Sequence, residues 1–313
     1  MTIDELKQSF SNGHIGKPEF IETAYEKFHK ILFEYASNIN NIDIKEICID
    51  GTGVIFTIRS TGIKIRCQLG DHRSPPIETF NFSDFEPAES RMMEKMFDGH
   101  KTFYDIGANI GWHSLNLSAK SRKANFYCFE PIPKTYGQLT DNIRLNCADK
   151  ISAFNIALSD KVGEQKFYYY TACSGNASAT NVSDRADVDE IVCQQTTLDT
   201  FVHDNLLPPP DFIKCDVEGA ELMVIKGGLK TINTHRPIIM AEILRKWSSK
   251  FNYNPNEIFE QLYCAGYLAF TTDGTDLFEF EKMTDSTKET NFFFLHSNQH
   301  KRLIHQYKNE AKQ

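Results

Sequence analysis

The sequence predicts an α/β fold, a doubly wound and mostly parallel sheet, from three observations. Short apolar, β-prone runs at 102–106, 125–130, 151–157, 211–216 and 237–244 alternate with helix-patterned segments. The first run, TFYDI, leads straight into a glycine turn of the form D-x-G-x-N-x-G, Asp105 to Gly111, with a helix following. The second run ends in Glu130-Pro131, one βαβ length after Asp105.

Taken in order, residues 1–16 carry little signal. From 17 to 39 the pattern is helical, with Phe20, Ala24, Phe28, Ile31, Leu32 and Tyr35 on one apolar face and Pro18 near the start. Such a face packs on the main domain or on a partner subunit, which makes this region the candidate contact for a homo-oligomer. Residues 43–70 read as a β-meander, split by Gly51-Thr52-Gly53 and Ser60-Thr61-Gly62. Residues 71–76 are expected to form a solvated, proline-stiffened loop in preference to one that turns His72 or Arg73 toward a substrate. The segment 86–97 reads as a helix with Met92, Met93, Met96 and Phe97 inward. The expected organisation is an accessory region over 1–85, a main domain over 86–300 and a charged, peripheral tail over 301–313.

Within the main domain, helices are expected at about 111–120 and 133–146, and a further strand at 166–170. The polar stretch 171–190 is a surface loop, read equally as a lid or as an inert insertion. Thr196 to Asp199 looks like a helix cap, and Pro208-Pro209-Pro210 ends that helix. A helix runs to about Lys226 and stops at Gly227-Gly228. A helix over 255–265 and strands at 267–272 and 291–296 close the sheet, the last strand antiparallel. The connection 273–290 reads as polar and turn-like.

Composition narrows the function classes. The chain has 313 residues, is 41% apolar and carries a net charge of −8, which argues against nucleic acid as a partner. Eight scattered cysteines without a C-x-x-C pair fit free thiols in a reducing compartment. No apolar stretch is long enough to span a bilayer, and the first residues lack a signal-peptide pattern, so a cytoplasmic protein with no membrane partner is expected.

Right-handed crossovers place the parallel strand ends on one edge. Asp105, Glu130, Asn155 to Ala157 and Asp216 should share it. Gly107 and Gly111 let backbone approach a ligand, and a carboxylate at the position of Glu130 is where such folds grip a ribose diol. A ribose-bearing cofactor is therefore preferred to a plain βα turn. The absence of G-x-G-x-x-G speaks against a nicotinamide-dependent oxidoreductase.

DIGANIGWHSL, FEP, NIALSD, TLDTF and FIKCDVEGAELMVIKG occur in that order, over about 86–296. Together they resemble the FkbM-type methyltransferases, a group of Rossmann-like S-adenosylmethionine-dependent enzymes. The resemblance implies a seven-stranded methyltransferase sheet and methyl transfer, commonly to a hydroxyl oxygen of a saccharide or other small molecule. It implies S-adenosylmethionine as cofactor, with its methionine half on Asp105 and on the loop Gly107, Asn109 and Gly111. Glu130 then takes the ribose, and Asn155 and Ala157 border the adenine. Asp160 and His113 are weaker candidates.

An oxygen nucleophile must lose a proton, so carboxylates near the methyl group are expected. Asp216, Glu218 and Glu242 are the catalytic candidates. Asp216 is a base, a metal ligand or the partner of Lys214, and Glu221 is better explained by helix N-terminal stabilisation. A cation on Asp216 and Glu242 is left unassigned, because neither a matching His nor a third assured ligand accompanies them. The alternatives are N-methylation, methylation of a protein side chain, or a fold that binds cofactor without turnover.

Overall fold

The computed structural model describes residues 1–170, 175, 177–181 and 188–309. Helix α1 (Ile3–Ser11) begins at a capping box in which Thr2 and Glu5 satisfy each other's backbone N–H. Helices α2 (Lys17–Ala24) and α3 (Lys30–Asn38) are joined by a π-turn at Tyr25–His29. Of the expected apolar face only Ala24 is buried, whereas Ile31, Leu32 and Tyr35 remain exposed.

Strands β1 (Ile44–Asp50), β2 (Gly53–Ile58) and β3 (Lys64–Cys67) form the antiparallel meander. It has no core of its own. Ile44, Phe56, Ile58 and Ile65 join one apolar cluster with Met92, Phe97, Leu115 and Leu139 of the main domain. The stretch expected to be a loop at 71–76 instead runs into helix α4 (Pro75–Phe82), with Pro75 and Pro76 in its first turn where proline's missing N–H costs nothing. Helix α5 (Pro87–Phe97) buries Met92, Met93, Met96 and Phe97.

The main sheet is built from β4 (Thr102–Ile106), β5 (Asn125–Phe129) and β6 (Ile151–Phe154), with helices α6 (Trp112–Lys120) and α7 (Pro133–Leu145) between them. Along β4, Phe103 and Tyr104 point into different clusters, on opposite faces. The third strand is shorter than expected. It stops at Phe154, and β7 (Ala157–Ser159) belongs to a separate sheet with β8 (Gly163–Tyr169) and β9 (Asp189–Thr197). That small sheet packs Phe167 and Tyr169 against Ile132.

Helix α8 (Leu198–Asp204) starts where the Thr197 hydroxyl accepts from the Thr200 N–H. Then come β10 (Phe212–Cys215), α9 (Glu221–Gly227), α10 (Leu229–His235), β11 (Ile238–Glu242), α11 (Arg245–Ser248) and α12 (Asn256–Cys264). Strand β12 (Tyr267–Thr272) turns back as β13 (Leu277–Phe280), a strand that the polar segment 273–290 conceals. Strand β14 (Asn291–His296) lies antiparallel between β11 and β12. The order β13-β12-β14-β11-β10-β4-β5-β6 contains the seven expected strands, and β13 adds an eighth at the edge. The last described segment is helix α13 (Lys301–Tyr307), whose Leu303, Ile304 and Tyr307 pack on the core. Among the described residues no helix is long and apolar enough to cross a membrane.

Candidate active site

The carboxyl ends of β4, β5, β10 and β11 open onto a cavity of about 420 Å³, within the range of small-molecule sites. Gly107, Asn109, Glu130, Ala157, Asp216, Glu218 and Glu242 line it. Asp105, Gly111 and Asn155 do not, and each has a structural task instead.

Asp105 is fully buried behind the turn. It accepts a hydrogen bond from the Ser114 hydroxyl at 2.7 Å and lies 3.7 Å from Lys214 Nζ. Its side chain faces α6 because it follows Tyr104 on a strand whose residues alternate sides. Gly111 has φ 89°, and a Cβ there would meet the Leu139 side chain at 2.6 Å, so this glycine serves packing of the turn on α7. Asn155 donates from its amide to the carbonyls of Glu130 and Pro131, both at 2.9 Å, and braces the end of β5.

Glu130 is only 5% exposed. Its two oxygens accept from the backbone N–H of Asn109 at 3.0 Å and of Ile132 at 2.9 Å. Burial pushes its carboxyl up to about 7, against the pull of those two amides. Beside it Ile156, Ala157, Leu158 and Phe167 make an apolar wall.

At the other end of the cavity, Asp216, Glu218 and Glu242 bring carboxylate oxygens within 4.8 Å of one another. These are the three catalytic candidates named from the sequence, with Glu218 as the third member of the cluster. A hard cation would fit between such oxygens, but acidic clusters are common without one and no metal is assigned. Burial alone would raise the Asp216 carboxyl. Lys214, 3.0 Å away, and a hydrogen bond with Glu242 outweigh it and hold the group below its ordinary range. Glu242 moves the other way: burial and the neighbouring Asp216 charge push its carboxyl well above the usual carboxylate range. Lys214 Nζ also donates to the Gly107 carbonyl at 3.2 Å, so one buried ammonium ties β10 to the glycine turn.

Glu221 is not in the cavity. Its Oε1 accepts from the N–H groups of Val217 at 3.1 Å and Gly219 at 3.0 Å, as expected of an acid at a helix start. Residues that spacing did not single out also line the cavity. Phe85 and Glu86 arrive from the segment before α5, and Lys246 and Trp247 from the helix after β11. Position just past the carboxyl end of β11 was the available signal for Trp247; nothing marked Glu86. Glu86, Asn109 and Glu218, all lining, hold left-handed backbone with φ of 47°, 48° and 57°, a strain that collects at functional sites. Most of the 171–190 stretch lies outside the described residues. Within it, Ser178 Oγ donates to the Glu218 carbonyl at 2.7 Å.

Strand order, glycine turn and cavity together define a Rossmann-like α/β domain of the methyltransferase type. Residues 105–269, more than half the chain, match the methyltransferase FkbM domain, and the chain belongs to that family. It is 29% identical over 147 residues to hexuronic acid methyltransferase AglP of Haloferax volcanii, covering 46% of this chain and 57% of that one. It is 28% identical over 146 residues to 2-O-methyltransferase NoeI of Sinorhizobium fredii, covering 42% and 59%. The chain thus spans less than two thirds of these relatives' lengths. Among solved structures it is similar to a methyltransferase FkbM from Methylobacillus flagellatus, with 17% identity and a TM-score of 0.41 over 62% of this chain and 43% of that one.

Proposed function

We propose that the chain is an S-adenosylmethionine-dependent O-methyltransferase acting on a saccharide or another small hydroxylated molecule. The observation that carries this is Glu130, a buried carboxylate anchored by two backbone amides at the end of the second strand, facing the same cavity as Asp216, Glu218 and Glu242. Each Glu130 oxygen keeps a lone pair for a ribose hydroxyl. The wall of Ile156, Ala157, Leu158 and Phe167 suits a flat, apolar base. The acid-lined end suits a positively charged sulfonium.

When bound, S-adenosylmethionine supplies the activated methyl group. The chain's own work is to hold and orient. The turn at Gly107 and Asn109 and the carboxylate of Glu130 hold the nucleoside. Asp216, Glu218 and Glu242 orient the acceptor hydroxyl, with Lys214 keeping Asp216 ionised. Membership of the FkbM family and the similarity to a hexuronic acid and a 2-O-methyltransferase support a sugar hydroxyl as the acceptor.

Calorimetry with S-adenosylhomocysteine and with NAD, followed by labelled-methyl transfer to a panel of methyl glycosides, peptides and amines, tests this. Micromolar binding of the first ligand only, with label in a glycoside, is the expected result. Label in amines or peptides alone would reassign the acceptor. Binding without label anywhere would leave a cofactor-binding protein.

A further inference from the structure

Methylating a hydroxyl requires that its proton go somewhere. Asp216 is committed to Lys214, and Asp216, Glu218 and Glu242 crowd their oxygens within 4.8 Å of one another. Glu130 is bonded by two amides at the nucleoside end. His113 lines the same cavity and is not part of that cluster. It sits in the first turn of α6, directly after the glycine turn, is 8% exposed, and lines the cavity. Its Nε2 lies 3.2 Å from Glu86 Oε2, and Phe85 packs its ring 6.2 Å away. Among the described residues Nδ1 has no hydrogen-bond partner. Glu86 reaches this point through an unfavourable left-handed backbone, φ 47°. Imidazole is the side chain whose charge changes near neutral pH, and a carboxylate on one ring nitrogen leaves the basic lone pair on the other.

We infer that His113 is the proton acceptor for the methyl-acceptor hydroxyl and that Glu86 is its positioning residue. This rests on the O-methyltransferase reading. In the step, the hydroxyl O–H bond breaks and its proton passes to His113 Nδ1, while Glu86 accepts from Nε2–H. The oxygen forms the new bond to the methyl carbon; the bond broken is carbon–sulfur, its pair kept by sulfur. The charge that forms on the imidazole is met by Glu86. Among the described residues, Asp216 at the end of β10 also interacts electrostatically with the ring. Glu86 lies outside the 105–269 segment shared with the family, so a residue ahead of that segment would supply half of this device.

The test is labelled-methyl transfer to methyl glycosides by the full chain, with S-adenosylhomocysteine calorimetry on every variant. His113→Gln should lower kcat by about a hundredfold or more and leave S-adenosylhomocysteine affinity within about twofold. Glu86→Gln should lower kcat about tenfold with KM unchanged. Glu86→Asp should restore part of it. A purely structural role would change melting or ligand affinity together with kcat. His113→Gln with kcat within twofold of wild type, or Glu86→Gln with kcat within twofold of wild type, overturns the assignment. Wild type that binds S-adenosylhomocysteine but labels no glycoside overturns the O-methyltransferase reading itself, and this one with it.

Discussion

Gly107 and Asp216 meet backbone to backbone: a Cβ on Gly107 would fall 1.7 Å from the Asp216 carbonyl oxygen. The glycine that ends β4 is therefore required by β10 as much as by any ligand. With φ at 78°, Gly107→Ala adds torsional strain to that overlap. A loss of at least about 3 kcal/mol is expected in denaturant unfolding. Gly137→Ala, in α7 with nothing within 4 Å of its Cβ, is the control and should be neutral or stabilising by up to about 1 kcal/mol. Equal effects would contradict the close approach.

Lys214 serves two buried or half-buried acids, 3.7 Å from Asp105 and 3.0 Å from Asp216. Lys214→Met strands both, and a destabilisation of about 3–5 kcal/mol is expected. Adding Asp216→Asn should recover part of it, a coupling that a double-mutant cycle in urea measures directly.

Glu130 must be ionised to accept hydrogen bonds from a ribose, yet burial sets its carboxyl at about 7. Affinity for S-adenosylhomocysteine should accordingly rise severalfold between about pH 6 and about pH 8. Glu130→Gln should bind more weakly and show a flat profile by calorimetry. A wild-type profile just as flat would mean that the ribose lies elsewhere.

Without ligand, stability should run the opposite way. Glu130 and Glu221 rise from 4.5 to about 7 on folding, so each binds its proton more tightly folded than unfolded. Their stabilisation is full below about 4.5 and is lost as pH passes about 7. Asp216, held low, contributes nothing that changes across this window. The apo protein should melt higher at about pH 6 than at about pH 8, and Glu221→Gln should shrink that difference. Scanning calorimetry of both proteins checks it.

The sheet was legible in the sequence because its strands are short apolar runs that alternate with helices, and period and length distinguish the two. That Glu130 lines the cavity was legible because it closes the second strand at the sheet's carboxyl edge. Asp105 looked equivalent and is not: its strand position turns it away from the cavity onto Ser114 and Lys214, which a linear pattern of charges cannot reveal. Asn155 misled for a related reason, since the third strand ends at Phe154 and the chain switches sheets at Ala157. Glu86 was illegible altogether. It precedes a helix, where an acid needs no special explanation, and its contact with His113 joins residues 27 apart in sequence.

Strand β14 has a consequence for where this protein can be cut. It lies between β11 and β12, yet its residues 291–296 fall beyond the family-matched segment 105–269. A fragment trimmed to that segment would leave β11 with an unpaired edge in what is now mid-sheet, and would cut β12 and β4 short. It would also bare the side of the core that Ile44, Phe56 and Ile65 cover. Homology here marks the stretch that is shared, while cohesion runs through both flanks. Such a fragment should come out of expression as aggregate.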